Sequence, residues 1–398
     1  MINPKTSQRE LAYVVTITDV QPIEGYDRVE EAMIRGWYCV VGKDDFHPGD
    51  KAVYFEVDSL LPSDKFADFE FLAKKKFKVK TQKMCKRISQ GLLLTFEQCG
   101  LNADDYNEGD FLTDVIGVVY ADPADNARKG KGGKKSDNYN QWFTNRLKKH
   151  KILRLIVKTR IGHKICLFLF KQKKRSEWPS FVIKTDEERV QNLSPSVFQD
   201  KQTTYECTEK RDGTSTTVAI QRTRRGYKTW ICSRNVVVFD GKTTKKGGYY
   251  EGVTEVNPYI ESAEKFHLLE FLKDFMDKHE DTKWAYLQGE TFGKNIQKRD
   301  YGLSNTTFEA FTFVESERPR YSYVEMKRML DDYDIPSVPI LSTGVTIPDT
   351  SDDVMAMAPG TTVGYDAGMR EGIVLRSEQN PQFSFKAVDP EFSMKYHG

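Results

Sequence analysis

The sequence predicts an α+β protein in two parts, a small all-β domain followed by a larger mixed domain. Residues 10 to about 120 contain short runs of β-branched and aromatic residues separated by turns such as Pro48-Gly49-Asp50, as expected for closely spaced strands. From about residue 141, similar runs alternate with helix-start patterns such as Ser322-x-x-Glu325. No Gly-x-Gly-x-x-Gly follows a strand-like run, which excludes a Rossmann fold. The short turns predict mostly antiparallel sheets.

The N-terminal strands can be placed individually. We predict strands at Leu11–Ile17, Trp37–Val41, Lys51–Val57 and Gly91–Phe96. Short strands at this spacing are typical of a small barrel or sandwich. The pattern therefore predicts an all-β domain over residues 1–120.

Composition changes abruptly after residue 120. Residues 128–135 hold five basic residues and three glycines, a composition that cannot bury apolar surface. We interpret residues 121–140 as a flexible linker, with a strap that contacts phosphates as the alternative. The Lys- and Arg-rich stretch 138–174 would either line a nucleic-acid groove or form an amphipathic first element of the next domain.

The second domain, residues 141–398, combines strands with helices. Two strands are predicted where β-branched and aromatic residues cluster, at Tyr205–Thr208 and Thr214–Ile220. Capping-box patterns predict two helix starts, at Thr185-x-x-Glu188 and at Ser322-x-x-Glu325, the second helix running until Pro336. Apolar residues at helical spacing between 262 and 279 predict a further helix packed on the core.

Composition also limits the kind of protein. The 398 residues include 60 Lys and Arg against 58 Asp and Glu, so any nucleic-acid surface has to be local. Six scattered cysteines form no Cys-x-x-Cys pair, which argues for reduced thiols and against a zinc site. The longest apolar run, Ile165–Phe170, is too short to span a membrane. We expect a soluble intracellular monomer with no membrane partner.

The most informative stretch is Glu206-Cys-Thr-Glu-Lys-Arg-Asp-Gly-Thr-Ser215. Lys210 lies near the end of a predicted strand, and Asp212 points to the same side if the chain stays extended. Gly213 lets a ligand approach the backbone closely. A lysine beside a carboxylate suits a nucleophilic amine next to a group that helps to hold a metal. A tight turn with an ion pair would give the same pattern, so the motif needs support from others.

Five further motifs follow the lysine motif along the chain. They are Ser233-Arg-Asn235, Leu287-Gln-Gly-Glu290, Phe308-Glu-Ala-Phe311-Thr-Phe313, Arg370-Glu-Gly-Ile-Val-Leu375 and Ser384-Phe-Lys-Ala-Val388. In this order the set resembles the nucleotidyltransferase motifs of covalent ligases and capping enzymes that use ATP or GTP. Within that superfamily the chain resembles the ATP-dependent RNA ligases of the Naegleria type, a branch also indicated by Trp178-Pro-Ser-Phe181 and by the segment Lys184–Asn192.

This resemblance implies a fold and a reaction. The fold is an N-terminal oligonucleotide-binding (OB-like) β-barrel followed by an α+β nucleotidyltransferase domain of the ATP-grasp-like ligase type with antiparallel sheets. The reaction uses ATP and Mg²⁺ or Mn²⁺ to form Lys210–AMP, passes AMP to an RNA 5′-phosphate, and joins that end to a 3′-hydroxyl with release of AMP. RNA with 3′-hydroxyl and 5′-phosphate ends is therefore the expected partner.

The resemblance also implies roles for individual residues. The expected catalytic set is Lys210, Asp212, Glu290, Glu371 and Lys386, and the expected metal ligands are Asp212, Glu290 and Glu371. Expected contacts to the nucleotide come from Glu209, Lys210, Arg189, Arg234, Glu290, Phe311 and Lys386. Phe311 would stack on the purine, whereas Phe308 and Phe313 would serve a core equally well. Because lysine attacks as the free amine and its ordinary pKa is ~10.4, we expect Lys386 and the metal to lower the pKa of Lys210.

A purely structural role stays open for some of these residues. A carboxylate beside a glycine, as at Glu290 and Glu371, is ordinarily a turn residue, and Arg189 would fit a capped surface helix. One motif also departs from the family. Its last motif usually has Lys-x-Lys, and here Ser384 stands two residues before Lys386 on the same face of the predicted strand. The loss of one charge would either weaken the orientation of the α-phosphate or shift that task to Lys395 or Arg376.

Other proteins with these motifs remain alternatives. ATP-dependent DNA ligases and capping guanylyltransferases usually carry a barrel after the last motif, whereas this sequence has 12 residues after Lys386 and its barrel-like region in front. A non-catalytic nucleic-acid-binding adaptor built on a ligase fold is a further alternative, motivated by Ser384. The intact Lys210 and its acidic partners argue against it.

Positive charge is concentrated in one segment of the N-terminal domain. Eight of the fourteen residues in 74–87 are Lys or Arg. The segment is either a solvated basic loop or a local surface for RNA phosphates. We expect residues 1–120 to matter more for joining RNA than for adenylating Lys210.

Overall fold

The computed structural model describes residues 1–3, 9–120, 159–170, 177–184, 186–234, 236–240, 257–297 and 299–397, with isolated positions between 143 and 157. The predicted linker, residues 121–140 with its basic stretch 128–135, lies outside the described residues. The division into 1–120, 121–140 and 141–398 therefore stays a prediction. Across the described part of the chain no helix is long and apolar enough to cross a membrane.

The N-terminal part of the chain is built from short antiparallel strands. They are β1 Ala12–Thr16, β2 Asp19–Ile23, β3 Tyr26–Ile34, β4 Trp37–Gly42, β5 Lys51–Phe55, β6 Ser59–Leu60, β7 Gln82–Met84, β8 Arg87–Ser89, β9 Leu92–Leu94 and β10 Val119–Tyr120, with two short helices, α1 Glu70–Lys74 and α2 Thr113–Ile116. The two larger sheets have the orders β1-β5-β9 and β2-β3-β4. Each of the four predicted strands overlaps an observed strand, so the predicted small all-β domain is confirmed.

Strand β1 is the centre of this domain because both of its faces are buried. Ala12 and Val14 belong to one apolar cluster, and Tyr13 and Val15 belong to the other. A strand that is covered on both sides can be continuously apolar instead of strictly alternating. This explains why the sequence of β1 alternates only partly.

The C-terminal part contains two five-stranded sheets. Its strands are β11 Glu188–Arg189, β12 Tyr205–Lys210, β13 Thr214–Thr223, β14 Gly226–Ser233, β15 Val237–Phe239, β16 Trp284–Gly293, β17 Thr306–Glu315, β18 Ile340–Val345, β19 Gly372–Ser377 and β20 Ser384–Val388. The sheet orders are β11-β20-β19-β12-β18 and β15-β14-β13-β16-β17. The pairing of β11 with β20 is parallel, and the other pairings within the two sheets are antiparallel. The predicted α+β class with antiparallel sheets is confirmed.

Helices accompany these sheets. They are α3 Arg160–Phe170, α4 Pro195–Gln199, α5 Pro258–Lys265, α6 Leu268–Lys278, α7 Tyr323–Asp331, α8 Ser351–Met355 and α9 Pro390–Phe392, and a final turn spans Ser393–His397. Helix α6 buries its apolar stripe, including Phe271, Leu272 and Met276, in the core beside the second sheet. That part of the helix prediction is confirmed. The segment 262–279 is nevertheless two helices, because His267 adopts a left-handed conformation with φ of 51° between them.

The two capping-box predictions have different outcomes. Ser322 caps α7 and Glu325 completes a reciprocal capping box, as predicted, but the helix ends at Asp331 and not at Pro336. The helix predicted to start at Thr185 is wrong. Glu188 and Arg189 instead form β11, whose backbone pairs with Phe385 and Lys386. Tertiary pairing has here overridden a local signal, as it often does for short segments.

A buried polar network fixes the N-terminal domain against the second domain. The side-chain oxygen of Asn192 accepts hydrogen bonds from Trp37 Nε1 at 2.7 Å and from Tyr13 Oη at 3.1 Å. The amide nitrogen of Asn192 donates to Glu56 at 2.9 Å and to Glu188 at 2.8 Å. Because buried polar groups are costly unless all are paired, such a network favours one arrangement of the two domains. The segment Lys184–Asn192 therefore joins the domains as well as bordering the site described next.

Candidate active site

The Lys-x-Asp-Gly motif lies where the chain crosses between the two sheets. Lys210 is the last residue of β12 in the first sheet, and Thr214 is the first residue of β13 in the second. A cavity of about 570 Å³ opens at this crossing. The residues predicted from the sequence as site residues all border it: Lys210, Asp212, Glu290, Glu371, Lys386, Glu209, Arg189, Arg234 and Phe311.

Two glycines allow backbone segments to approach closely at the crossing. A Cβ atom on Gly213 would lie 2.4 Å from the carbonyl oxygen of Thr291. A Cβ atom on Gly372 would lie 2.2 Å from the carbonyl oxygen of Ala387. Neither carbonyl can move without distorting its strand. These two positions therefore require glycine for close packing of the backbones around Lys210.

Lys210 is held by a bidentate ion pair. Its Nζ donates to both carboxylate oxygens of Glu371 at 2.7 Å. Burial alone would lower the pKa of Lys210, but the carboxylates of Glu371 and Glu290 outweigh burial and raise it. The pKa of Lys210 is therefore not lowered in the protein alone, contrary to the expectation. The surrounding acidic residues hold the lysine in its charged form.

Three carboxylates share this part of the cavity. Glu290 on β16 lies opposite Ser215 of β13, Glu371 directly precedes β19, and Asp212 lies in the crossover. Burial, together with the charges of Glu371 and Asp212, raises the pKa of Glu290 to about 8 despite the nearby ammonium of Lys210. The cluster thus carries more negative charge than Lys210 can balance.

This donor set suits a hard divalent cation. Among the described residues, no three His, Cys, Asp or Glu side chains form a ready-made metal site. Mg²⁺ does not require one, because it keeps several waters and takes phosphate oxygens beside one or two carboxylates. Carboxylate oxygens are also the ligands that Mn²⁺ accepts. Asp212, Glu290 and Glu371 therefore fit the metal role as a partial ligand set that phosphates and water would complete.

A cluster of cations occupies the side of the cavity next to the N-terminal domain. Lys386 donates to Asp186 at 2.8 Å, and Arg234 donates to the same carboxylate at 3.1 Å. Burial opposes ionisation of Asp186, yet Lys386, Arg9 and Arg234 hold its pKa far below the usual range. Burial lowers the pKa of Lys386, and the charge of Arg9 adds to that effect although Asp186 opposes it. The arrangement concentrates positive charge where phosphates are expected.

Arg189 is a cavity residue and not part of a surface helix. It lies in β11 directly beside Lys386 of β20, and its guanidinium stands 5.5 Å from the ring centroid of Trp37. The Nε atom of Arg189 is buried without a hydrogen-bond partner in the described part of the structure. A buried donor without a partner is costly, so Arg189 is suited to donate a hydrogen bond to an oxygen of a bound ligand.

A β-bulge directs Phe311 into the cavity. Residues Gln288 and Gly289 of β16 face Thr312 and Ala310 of β17, which leaves Phe311 as the extra residue. Bulges of this kind commonly re-aim a side chain beside an active site. Phe308 and Phe313 are fully buried in the core, whereas Phe311 is partly exposed and borders the cavity. Phe311 is thus the aromatic side chain of this motif that can meet a ligand.

The carboxylate of Glu209, which was expected to contact the nucleotide, forms hydrogen bonds within the protein. Its carboxylate accepts a hydrogen bond from Arg211 at 2.6 Å and another from the backbone nitrogen of Val363 at 2.8 Å. Side chains alternate along β12, so Glu209 shares its face with Cys207 and Tyr205, which belong to the core on the other side of the first sheet. The carboxylate is therefore paired with Arg211 and Val363 in the free protein, while Glu209 still borders the cavity.

Ser384 is accompanied by an arginine that sequence reasoning did not identify. Arg320 donates to Ser384 Oγ at 2.8 Å, to Glu187 at 2.6 Å and to Thr312 Oγ1 at 2.9 Å. The small serine leaves room for this guanidinium at the position where the family usually has lysine. The two residues that the sequence analysis considered as substitutes for the missing lysine charge do not reach the cavity. Arg376 is fully buried behind the site, where it donates to the carbonyl oxygen of Phe311 at 2.7 Å, and Lys395 is not among the cavity residues.

The N-terminal domain and the C-terminus contribute further cavity residues. Arg9, Lys78, Lys80 and Tyr120 border the same cavity as Lys210, and His397 lies 3.2 Å from Asp212. Contact with Asp212 raises the pKa of His397. Lys78 and Lys80 belong to the basic segment 74–87 that the sequence marks, whereas no motif marks Arg9, Tyr120 or His397, because their position depends on how distant segments pack. The expectation that residues 1–120 matter more for joining RNA than for adenylating Lys210 stays a prediction.

Two family models match the chain. Residues 11–96 match an OB-fold domain, which confirms the expected fold of the N-terminal domain. Residues 203–396 match the RNA ligase family, from just before β12 to the final turn. No curated protein sequence matches the chain at a significant level.

Solved structures of one protein match nearly the whole chain. A mutant of Naegleria gruberi RNA ligase with ATP and Mn is 24% identical, covers 98% of this chain and 100% of its own, and has a TM-score of 0.72. A second mutant of that ligase, with AMP and Mn, is 24% identical with coverages of 98% and 99% and a TM-score of 0.71. The Naegleria gruberi RNA ligase with PPi is 24% identical with coverages of 97% and 98% and a TM-score of 0.70. The chain therefore combines an OB-fold domain with a domain of the RNA ligase family, and as a whole it has the fold of the Naegleria gruberi RNA ligase.

Proposed function

We propose that this protein is an ATP-dependent RNA ligase that joins a 3′-hydroxyl to a 5′-phosphate through covalent lysyl-AMP and RNA-adenylate intermediates. One observation carries the proposal. A single cavity brings together Lys210, the three carboxylates of its cluster, a cluster of cations and the partly exposed ring of Phe311, and Lys210, the three carboxylates and Phe311 lie within the segment that matches the RNA ligase family. All of these residues come from one chain, which supports a monomer as the active form.

In the first step, ATP binds with its purine against Phe311. Lys386, Arg234 and Arg189 attract the phosphates in place of Asp186, which pairs with Lys386 and Arg234 in the free protein. Mg²⁺ or Mn²⁺ held by Asp212, Glu290 and Glu371 would offset the negative charge of the cluster and of the α-phosphate. Lys210 then leaves its ion pair, loses a proton and attacks the α-phosphorus, so that an N–P bond forms and pyrophosphate leaves.

The next two steps use the same cavity. An oxygen of the RNA 5′-phosphate attacks the phosphorus of the lysyl-AMP, the N–P bond breaks and Lys210 recovers its proton. The 3′-hydroxyl of the second RNA end then attacks the activated 5′-phosphate, a phosphodiester forms, and AMP is the leaving group. Positive charge from Lys386 and Arg234 supports both steps, because each transfers a phosphoryl centre whose oxygens gain negative charge in the transition state.

The alternatives are less well supported. Neither family match points to a DNA ligase or a capping guanylyltransferase. An adaptor without activity would have no need to keep Lys210, Glu290 and Glu371 in one buried charged cluster, because buried charges are costly when they are not used or fully paired. Arg320 also holds Ser384 in an ordered hydrogen-bond network with Glu187 and Thr312.

A joining assay with defined RNA ends tests this function. We expect a joined product and free AMP when a 5′-phosphate strand and a 3′-hydroxyl strand are supplied with ATP and Mg²⁺ or Mn²⁺. Strands with a 5′-hydroxyl or a blocked 3′ end are the matched controls and should not be joined. Transfer of GMP from GTP to an RNA end would instead indicate a capping enzyme, and joining of DNA alone would indicate a DNA ligase.

A further inference from the structure

A basic segment of the N-terminal domain borders the cavity. Residues 74–87 contain no acidic residue and eight basic ones: Lys74, Lys75, Lys76, Lys78, Lys80, Lys83, Lys86 and Arg87. We call residues 74–87 the basic rim. Its formal charge of +8 contrasts with the net charge of +2 of the whole chain.

The fold directs part of the basic rim into the cavity and part of it outward. Lys78 and Lys80 border the cavity, while Val79 between them is buried in the domain core. The chain then forms the β7–β8 hairpin, on which Lys83, Lys86 and Arg87 are exposed. The rim therefore provides a continuous path of positive charge from the cavity to the surface of the N-terminal domain.

Carboxylates balance only part of this charge. Lys78 pairs with Asp58 at 2.9 Å, in the cavity wall. Two further ion pairs among the described residues are long, between Lys74 and Glu70 at 3.7 Å and between Arg87 and Glu31 at 3.8 Å. Burial and the charge of Lys80 lower the pKa of Lys75, as expected where like charges lie close together. The hairpin lysines, Lys83 and Lys86, extend this positive field into solvent.

We propose that the basic rim binds the phosphate backbone of the RNA strand whose 5′-phosphate enters the cavity. The inference rests on the proposed function and adds where the RNA lies. The 5′-phosphate has to reach Lys210, and Lys78 and Lys80 border the same cavity. The phosphates that follow in the strand then leave the cavity past these two lysines and meet the β7–β8 hairpin. Lysine offers point charges without a base-specific pattern, so the rim binds RNA without regard to sequence.

The test uses the double variant Lys83→Ala/Lys86→Ala in the full chain. Both lysines are exposed and neither borders the cavity. The matched control is Arg224→Ala/Arg225→Ala, two exposed arginines in the turn after β13. Strand β13 has ten residues and begins at the cavity, so this turn lies roughly 30 Å away. Both double variants remove the same charge from an exposed turn.

The measurement is binding of a fluorescent, 3′-blocked, 5′-phosphorylated RNA single strand at several salt concentrations. Each lost phosphate contact lowers the slope of log affinity against log salt by about 0.7 for single strands. We expect the hairpin variant to lose about 1.4 in slope, and the control variant to keep the wild-type slope and affinity. The loss of slope in the hairpin variant should be the same for RNA strands of different sequence.

Two further readouts separate this inference from the proposed function. Labelling of the protein by ATP needs no RNA, so we expect it to be unchanged in the hairpin variant, while joining requires a higher RNA concentration to reach the same rate. Wild-type salt dependence in the hairpin variant, or equal losses in the hairpin and control variants, would overturn the inference while leaving the ligase intact. Absence of labelling in the wild-type protein would instead overturn the proposed function.

Discussion

Arg320→Ala should disturb the nucleotide site although Arg320 is not among the cavity residues. The guanidinium binds Glu187, Ser384 and Thr312. Glu187 borders the cavity, Thr312 follows Phe311 in β17, and Ser384 stands two residues before Lys386 in β20. One side chain therefore ties together three segments that position the expected ligands of the nucleotide.

The size of the effect follows from burial and geometry. Arg320 and Glu187 are 13% and 20% exposed. Removing one partner of a buried ion pair costs about 3–5 kcal/mol of stability because the other charge remains without a partner, and this residual exposure suggests about 3 kcal/mol. A displacement of about 1 Å in a catalytic group costs roughly 10²-fold in rate. We therefore expect labelling by subsaturating ATP to fall by roughly 10²-fold.

The assay compares Arg320→Ala, Ser384→Lys and the exchange Arg320→Ser/Ser384→Lys. Initial rates of protein labelling by ATP are measured against ATP concentration, together with the melting temperature. Both single variants should be impaired, the second because its ammonium is forced against the guanidinium of Arg320. The exchange should recover most of the lost rate, because a lysine at 384 can pair with Glu187. Wild-type kinetics in Arg320→Ala, or no recovery in the exchange, would refute the reasoning.

The same pair predicts a pH dependence of stability. Burial would raise the pKa of Glu187, but Arg320 and Arg376 outweigh it and lower this pKa to about 2. A carboxylate whose pKa is lowered on folding stabilises the protein above its unfolded pKa, and this contribution is lost as the pH falls towards the folded value. The difference in melting temperature between the wild type and Arg320→Ala should therefore be full at neutral pH and shrink below about pH 4.5. A difference that does not change with pH would show that Arg320 stabilises by packing alone.

Three further predictions concern other parts of the site. Glu290→Gln and Glu371→Gln should each lower Mg²⁺-dependent labelling by ATP by roughly 10²-fold, since electrostatic stabilisation at the α-phosphate is worth several kcal/mol; normal labelling in both would make these carboxylates structural. Arg211→Ala should destabilise the protein to urea by about 3–5 kcal/mol, because Arg211 is 1% exposed and pairs with both Glu209 and Glu309. Exposed Arg224→Ala is its control and should change stability by less than about 0.5 kcal/mol. Asn192→Ala should slow labelling although Asn192 does not border the cavity, because its amide fixes the N-terminal domain; unchanged labelling would show that this domain is not needed for adenylation.

The site residues that the sequence predicted best are those that lie within short motifs. Lys210 and Asp212 are two residues apart in one motif, and Glu290 and Glu371 each stand next to a glycine in a further motif of the ordered set. The order of these motifs was sufficient to expect them in one place, and the structure brings them together. The choice of Phe311 over its two aromatic neighbours agrees with the structure, but its cause does not appear in the sequence. The bulge depends on the register between β16 and β17.

The remaining features depend on contacts between distant segments. Arg320 is 64 residues away from Ser384, and no local pattern connects the two. Glu209 was expected to contact the nucleotide because it directly precedes Lys210 in the motif. In the structure its carboxylate accepts a hydrogen bond from Arg211. Thr185-x-x-Glu188 has the pattern of a helix start, yet the pairing of Glu188 with β20 determines the local structure. In such cases a few tertiary hydrogen bonds stabilise a structure other than the one that local helix propensity favours.

The central claim is that Lys210 is the nucleophile. The most direct measurement is to incubate the protein with ATP and Mg²⁺, digest it and locate AMP by mass spectrometry, with Lys210→Ala and the exposed-helix variant Lys273→Ala treated in parallel. We predict a single AMP attached to Lys210 in the wild type and in Lys273→Ala, its loss on addition of RNA with a 5′-phosphate, and no adenylated peptide in Lys210→Ala. AMP on another residue, or undiminished labelling of folded Lys210→Ala, would contradict the claim.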